Sequence, residues 1–176
     1  MAENLKTTKY NDGTAIPLVT NSTEWDNLTT PGYCWYNNDE ASYKNTYGAL
    51  YNWYTVNTGK LCPTGWHVPT DSEWTILTDY LGGYSVAGGK LKETGTTHWN
   101  SPNTGATNES GFTALPGGYR TNSGAFNNVG SNGNWWSSTE SSSTYAWHRS
   151  MNYSSSNVYR DYSGKSYGFS VRCVRD

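Results

Sequence analysis

Residues 65–83 read Gly-Trp-His-Val-Pro-Thr-Asp-Ser-Glu-Trp-Thr-Ile-Leu-Thr-Asp-Tyr-Leu-Gly-Gly and predict the clearest helix of the chain. Thr70 and Glu73 form a capping box, in which each side chain accepts a hydrogen bond from the other residue's backbone N–H. Pro69 stops the element before the box. The helix should then bury one apolar stripe and end at a glycine pair. The stripe is Trp74, Leu77 and Leu81, and the pair is Gly82 and Gly83.

A second helix is expected over residues 43–56, because four aromatic or apolar side chains recur there at i, i+3, i+4 and i+7. A strand with alternating side chains is the open alternative for the same segment. A short helical piece should follow at 86–93, and a long irregular surface excursion at 100–118, which is rich in Gly, Pro and Asn. The helical set is Tyr47, Leu50, Tyr51 and Tyr54, and the strand set is Tyr47, Ala49, Tyr51 and Trp53.

Three later segments, 135–138, 146–147 and 168–174, are typical of strands in an antiparallel sheet. In the last segment, apolar and polar side chains alternate, which predicts that one face of this strand lies in the core. The apolar set is Phe169, Val171 and Cys173, and the alternating set is Ser170, Arg172 and Val174.

The composition indicates one globular α+β domain over residues 1–176. The 176 residues include 9 Trp, 15 Tyr and 3 Phe, while only 15% are charged. Large rings bury about 150–250 Å² each, so they supply a core that the modest aliphatic content does not. We expect most tryptophans to lie in the core. Trp99 should be partly exposed, beside the loops that would bind a ligand. The residues expected to be mostly buried are Trp53, Trp66, Trp74, Trp136 and Trp147.

The charge pattern argues against several partners. The net charge is −2, so the chain lacks the basic surface that nucleic acids or anionic lipid headgroups attract. No apolar run approaches the roughly 20 residues that span a bilayer, and residues 1–6 lack the regions of a signal peptide. We therefore expect no nucleic-acid partner and no direct membrane insertion.

No cofactor or metal is expected. The three cysteines, Cys34, Cys62 and Cys173, have no C-x-x-C spacing, and the three histidines are isolated from them. The simplest interpretation is that the cysteines are small buried hydrophobes. Spaced carboxylate pairs for hydrolysis are also missing as a motif.

Seven blocks, in order along nearly the whole chain, together resemble the Fibrobacter succinogenes major paralogous domain. In that family a short strand usually precedes the first block, which implies that Met1 lies inside a longer natural protein. The blocks are Ala-Glu-Asn-Leu-Lys-Thr at 2–7, Tyr-Cys-Trp-Tyr-Asn-Asn at 33–38, Tyr-Gly-Ala-Leu-Tyr-Asn-Trp-Tyr at 47–54, Gly-Trp-His-Val-Pro-Thr-Asp-Ser-Glu-Trp at 65–74, Gly-Gly-Tyr-Arg at 117–120, Trp-Trp-Ser-Ser-Thr-Glu at 135–140 and Gly-Phe-Ser-Val-Arg-Cys-Val at 168–174.

The resemblance implies a C-type-lectin-like fold of the formylglycine-generating-enzyme branch. The helix start at 67–74 is similar to that branch's Arg-Leu-Pro-Thr-Glu-Ala-Glu-Trp, and Gly168-Phe169-Ser170 to its closing Gly-Phe-Arg strand. Such a fold packs two helices on small twisted antiparallel sheets with long loops. It also implies a disulfide between Cys62 and Cys173, for which the Cα atoms should lie about 4.4–6.8 Å apart.

The resemblance raises two further activities. Formylglycine-generating enzymes oxidise a substrate cysteine with a close pair of copper-binding cysteines, and the implied disulfide would consume Cys62. Calcium-dependent lectins carry a Glu-Pro-Asn or Gln-Pro-Asp loop, whereas Ser101-Pro102-Asn103 has no carboxylate before the proline. An oxidase is therefore kept only as the second alternative function. A calcium-dependent sugar site is not supported by these residues.

Residues 134–167 form the candidate variable ligand-binding region, because 144–167 is dense in Tyr, Ser, Asn, Asp and Gly. These residues dominate antibody paratopes, where Tyr supplies rigid contact area and Ser, Gly and Asn adapt their hydrogen bonds. A plain solvent-facing polar hairpin is the alternative. At eleven positions, the residue present is one that an Asn codon would encode after replacement of its adenines. Such a pattern resembles the variable proteins of diversity-generating retroelements. The eleven candidate ligand-binding residues are Tyr145, His148, Ser150, Ser154, Ser155, Tyr159, Asp161, Tyr162, Ser163, Gly164 and Tyr167.

We expect a non-enzymatic receptor or adhesin module that binds a protein or cell-surface ligand, with a glycan as the alternative ligand. Its place would be extracellular, on a cell surface or on a phage virion. A fixed structural or adhesion domain is the first alternative function. The binding hypothesis predicts one contiguous solvent-facing surface made by Tyr145, His148, Ser150, Tyr159, Asp161, Tyr162 and Tyr167, supported from behind by Ala146, Arg149, Met151 and Val158.

Overall fold

The computed structural model describes all residues, Met1–Asp176, and has an α+β fold, as predicted. The helices are Ser22–Asp26 (α1), Glu40–Tyr47 (α2), Trp53–Val56 (α3), Asp71–Tyr80 (α4) and Tyr84–Leu91 (α5), with one 3₁₀ turn at Tyr36–Asn38. The strands are Tyr33–Cys34 (β1), Leu50–Tyr51 (β2), Trp66–His67 (β3), Gly117–Arg120 (β4), Phe126–Val129 (β5), Asn132–Glu140 (β6), Tyr145–Asn152 (β7), Tyr159–Gly164 (β8) and Val174–Arg175 (β9). None of the helices has the length and apolar character needed to cross a membrane.

The largest sheet has five strands in the order β5-β4-β6-β7-β8. Its neighbours pair antiparallel except β4 and β6, which pair parallel at Gly118 and Gly133. The predicted antiparallel sheets are thus confirmed, with one parallel pair in addition. Strand β5 turns back along one edge of β4, so the chain enters β6 on the other edge in the direction of β4. Two small sheets, β1-β2 and β3-β9, complete the fold.

The capping-box helix is confirmed as α4. The Thr70 side chain accepts from the Glu73 N–H, and the Glu73 carboxylate accepts from the Thr70 N–H at 2.8 Å. Trp74 and Leu81 are buried with Met151 of β7 in one core cluster, against which Leu77 packs. The short helical piece is also confirmed, as α5. Together α4 and α5 cover one side of β6 and β7.

The continuous helix predicted over 43–56 is wrong: the segment forms α2, β2 and α3 instead. At Gly48, φ is 76°, and a Cβ atom there would lie 2.7 Å from the carbonyl oxygen of Leu5. The chain therefore leaves the helix where it passes close to the N-terminal segment. The Asn52 side chain then caps α3 by accepting from the Thr55 N–H. The strand alternative holds only at Leu50–Tyr51.

The predicted core face of the closing segment is confirmed, and the other side of residues 168–173 is buried as well. Its apolar side chains enter the largest core cluster, while Ser170 and Arg172 hydrogen-bond Asn4 on the other side. The expected disulfide between Cys62 and Cys173 is confirmed, with the Cα atoms 5.9 Å apart. Residues 168–173 thus run through the interior of the molecule.

The predictions of tryptophan burial are confirmed for some residues and wrong for others. Trp53, Trp74 and Trp136 are buried, whereas Trp66 and Trp147 are only half-buried. The prediction for Trp99 is wrong, because its side chain is 1% exposed and its indole N–H donates to the Ala114 carbonyl at 2.8 Å. The irregular excursion that follows is therefore anchored over a buried ring.

Candidate functional site

The candidate site is built on the hairpin of β7 and β8, which pair antiparallel from Tyr145 opposite Gly164 to Ser150 opposite Tyr159. Strand β8 forms an edge of the five-stranded sheet. The predicted supports Ala146, Arg149, Met151 and Val158 are all buried, which is confirmed. The hairpin therefore carries its surface residues on a packed base.

A hollow of about 490 Å³ opens at the end of the hairpin that holds Tyr145 and Gly164. We call it the tyrosine hollow. Polar residues from three other parts of the chain complete its wall, among them Asp26 at the end of α1 and Asn122 in the β4–β5 turn. The four tyrosines that line it are Tyr54, Tyr145, Tyr162 and Tyr167.

The rim of the hollow is an exposed aromatic cluster. The rings of Tyr145 and Tyr162 lie 5.5 Å apart at 77°, and Trp147 meets Tyr162 edge to face at 5.6 Å. Tyr145 is 45% exposed and Tyr162 is 53% exposed. The Arg160 guanidinium stacks 3.5 Å above the Trp147 ring. These contacts fix the orientation of rings that still face solvent.

Asp71, the first residue of α4, fastens the edge strand to the helix. Its carboxylate accepts from Arg149 at 2.6 Å and from Arg160 at 2.8 Å. Burial acts to raise the pKa of the Asp71 carboxyl, but the hydrogen bonds from Arg160 and Arg149 hold this pKa below its usual range. The carboxylate thus stays charged, and β8 stays attached to α4.

Lys165 forms the floor of the hollow. Its ammonium is almost fully buried, pairs with Glu140, donates to the Ser143 carbonyl at 2.8 Å and lies 4.8 Å above the Trp53 ring. The positive charge of Lys165 is therefore balanced within the protein.

The other end of the hairpin, the segment 152–158, is held mainly through its main chain. The buried ammonium of Lys92 donates to the carbonyls of Thr104 at 3.0 Å, Asn152 at 3.0 Å and Ser155 at 2.8 Å. Burial lowers the pKa of this ammonium to about 8. Gly88 of α5 lies directly against the Asn157 carbonyl, where a Cβ would collide with it. These contacts do not depend on which side chains the segment carries.

The prediction of one contiguous surface is wrong. Because side chains alternate along β7, Tyr145 and His148 point to opposite faces of the sheet. The candidates form two groups and a remainder. Near the hollow lie Tyr145, Tyr162, Ser163, Gly164 and Tyr167; near segment 152–158 lie Ser154, Ser155 and Tyr159; His148, Ser150 and Asp161 belong to neither group.

His148 is a core residue rather than a surface one. It is 5% exposed, and its ring lies 4.7 Å from that of Phe169 and 5.9 Å from that of Trp136. Its Nε2 lies 3.1 Å from the Ser163 hydroxyl. Burial lowers the pKa of His148 to about 4, so the ring is neutral at physiological pH.

Sequence reasoning missed part of this site. Tyr54 and Lys165 were not candidates, and Asp26 and Asn122 come from distant loops with no motif to mark them. Arg160 was not a candidate either, and Trp147 was expected to be mostly buried, yet both form part of the exposed cluster. The dense aromatic and basic composition of β7 and β8 was the only signal for these last two.

The third cysteine lies apart from the disulfide. Cys34 is buried in a cluster with Trp25 and Leu50, and burial raises the pKa of its thiol to about 12. No group of three His, Cys, Asp or Glu side chains is arranged to hold a metal ion.

None of the curated proteins matches this chain, and none of the solved structures does. One family model does match, that of the Fibrobacter succinogenes major domain, and the match covers residues 1–175. Since it covers almost every residue described above, this chain belongs to the Fibrobacter succinogenes major domain family.

Proposed function

We propose that this domain is a non-enzymatic binding module whose tyrosine hollow and flanking hairpin recognise a protein or cell-surface ligand. The observation that carries the proposal is the pair Tyr145 and Tyr162, two rings that are about half exposed on a packed hairpin. Tyrosine, tryptophan and arginine dominate the binding energy of protein interfaces, and all three meet at this rim.

The size and stiffness of the site support the same function. The volume of about 490 Å³ falls within the range of about 300–1,000 Å³ that is usual for ligand pockets. Asp71 fastens β8 to α4, and Lys165 fixes the floor. A rigid surface loses little conformational entropy when it binds, so more of the contact energy appears as affinity.

The cysteines support binding more than oxidation. An oxidase of the formylglycine-generating type needs two neighbouring reactive thiols, whereas Cys62 and Cys173 are joined and Cys34 is buried in another cluster. Placement outside the cell, on its surface or on a virion is part of our proposal, since a recognition face of this kind serves contact with other particles.

The burial of His148 favours a fixed recognition face over a retroelement-diversified one. Replacing a residue in this core would cost several kcal/mol, so variation there would often unfold the domain. Diversification remains the second candidate for the exposed positions, because the main-chain anchoring of segment 152–158 suits variable side chains. Its genetic test is a nearby near-copy of the coding stretch for 134–167, with adenines at the substituted positions. Without such a copy, the recognition face is fixed.

The binding proposal is tested with fluorescently labelled domain on arrays of surface proteins and glycans and on intact cells. We expect Tyr145→Ser/Tyr162→Ser to weaken binding at least about tenfold, since each ring is a candidate hot spot worth about 2 kcal/mol or more. Its melting temperature should stay within a few degrees, because both rings are surface residues. Tyr80→Ser is the matched control, an 85% exposed tyrosine on α4 outside the hollow. If the wild type, the double variant and the Tyr80→Ser control all bound equally, a structural domain would be favoured instead.

A further inference from the structure

We propose that the tyrosine hollow takes a cationic side chain, the ammonium of a lysine or the guanidinium of an arginine, from a protein partner. This inference rests on the proposed binding function and names the chemistry of its ligand. It is argued from the rings, the charges and the cation contacts that the protein already makes.

The rings offer the faces that a cation prefers. Tyr145 and Tyr162 meet nearly at a right angle, and Tyr54 and Tyr167 line the same hollow. The face of each phenol ring carries the negative part of its quadrupole, which attracts a cation.

These faces are free of the protein's own cations. Seven cation–ring contacts occur in the structure, and every one of them uses a tryptophan or phenylalanine ring. Two of these contacts lie at the hollow, Lys165 on Trp53 and Arg160 on Trp147, and they show the same chemistry with cations of this chain. The hollow tyrosines are left for a cation from outside.

The charges lining the hollow also favour a cation. Asp26 is exposed, and its carboxylate makes neither a hydrogen bond nor an ion pair with another residue of the chain. Lys165 is paired with Glu140, so the two charges cancel. Of the two charged residues that line the hollow, only Asp26 therefore has no partner of opposite charge within the chain. A cationic group is the complement of this carboxylate.

The occupant is more consistent with a protein side chain than with a phosphocholine headgroup. A headgroup would need a free basic group for its phosphate, and the one basic residue of the hollow, Lys165, is engaged by Glu140 and the Ser143 carbonyl. Lysine and arginine side chains carry their charge at the end of a slender apolar stem, which suits an aromatic wall with a single carboxylate at its edge.

The experiment uses five defined probes, of which one is phosphocholine, and observes the amides of residues 26, 54, 145, 162 and 167 by NMR. The cationic probes are Nα-acetyl-lysine methylamide and Nα-acetyl-arginine methylamide. Their neutral counterparts carry norleucine, which has the carbon chain of lysine without the ammonium, and citrulline, which has the size of arginine without the charge. We expect weak binding at the hollow, with each cation about two- to fivefold tighter than its neutral counterpart and the difference reduced by salt.

Variants locate the effect. Tyr145→Leu/Tyr162→Leu keeps apolar surface but removes the phenol faces, and Asp26→Asn removes the carboxylate; both should reduce the preference for the cation. Tyr80→Leu, outside the hollow, and Glu24→Gln, an exposed carboxylate on the same helix as Asp26, should leave it unchanged.

The inference is overturned if the neutral probes bind as tightly as the cations, if shifts occur away from the hollow or not at all, or if the hollow variants behave like the controls. Tighter binding of phosphocholine than of either cationic probe would replace the side chain with a headgroup. Each of these results leaves the binding function standing, because that function is judged separately by the array and cell experiment with the serine variants.

Discussion

Lys92 shows how a single buried charge can shape a surface. Its ammonium has no carboxylate partner and is satisfied by three backbone carbonyls from two separate segments. A buried ammonium is costly unless its hydrogen bonds are made, so the segments that supply these carbonyls are held in place by the same requirement. Segment 152–158 owes its position to this residue and to the glycines of α5.

We expect Lys92→Met to loosen segment 152–158 because the three carbonyls lose their donor. The free energy of unfolding should fall by roughly 2–4 kcal/mol, and amide exchange of 152–158 should quicken more than elsewhere. Lys90→Met is the control, since Lys90 lies two residues earlier in α5 and its ammonium makes only a 3.5 Å surface pair with Glu109. Unchanged exchange in the Lys92 variant would contradict the anchoring role.

Because His148 is neutral in the folded protein, the free energy of unfolding should depend on pH. The unfolded imidazole titrates near 6.5 and the folded one at about 4, so between these values the unfolded chain binds more protons. The free energy of unfolding should therefore fall as the pH drops through this interval, by on the order of 3 kcal/mol in all. His148→Phe should remove that part of the acid dependence in urea titrations.

His67→Gln serves as the control for His148→Phe, because the pKa of His67 is shifted in the opposite direction. Hydrogen bonds to Asp176 and Glu73 raise the pKa of His67, so its stabilising contribution is complete below about 6.5 and is lost as the pH rises through the folded value. His67→Gln should thus retain the acid slope. A His148→Phe protein that retains the slope as well would place the acid dependence on other groups.

At the scale of elements, the predictions succeeded where local signals are complete. The capping box defines α4 because both of its hydrogen bonds join residues three positions apart. Helix periodicity failed at Gly48 because the break there comes from the approach of Leu5, more than forty residues earlier in the chain. The predicted surface placed Tyr145 and His148 together although alternation along β7 separates them, and only the assembled sheet shows that His148 faces the buried closing segment.

Helix α4 should depend strongly on Trp74, which is buried among Leu81, Leu91 and Trp135. Trp74→Ala should lower the free energy of unfolding by about 3–5 kcal/mol, through lost burial and the cavity left behind. Ile76→Ala on the same helix should change it far less, because Ile76 is 68% exposed. Urea denaturation of the two variants gives the comparison. Similar losses would mean that α4 does not pack through its Trp74 side.

At the scale of the whole molecule, composition predicted the α+β class and the aromatic core, while the site was only partly accessible. The hollow joins α1, α3, the β4–β5 turn and the hairpin, segments that are distant in sequence. No local pattern marks Asp26 or Tyr54 as neighbours of Tyr162. Resemblance supplied what periodicity did not, namely the pairing of Cys62 with Cys173, and that long-range link is confirmed.

This disulfide joins residues 111 positions apart and so ties the segment that precedes β3 to the buried closing segment. Closing so long a loop restricts the unfolded chain, and Cys62→Ser/Cys173→Ser should lose roughly 2–5 kcal/mol of the free energy of unfolding. A reductant should lower the melting temperature of the wild type toward that of the double variant and leave the double variant unchanged. Cys34→Ala should remain sensitive to reductant, because Cys34 is outside the bridge. If reductant instead leaves the wild type unaffected, the bridge contributes little and the aromatic clusters alone hold the closing segment in place.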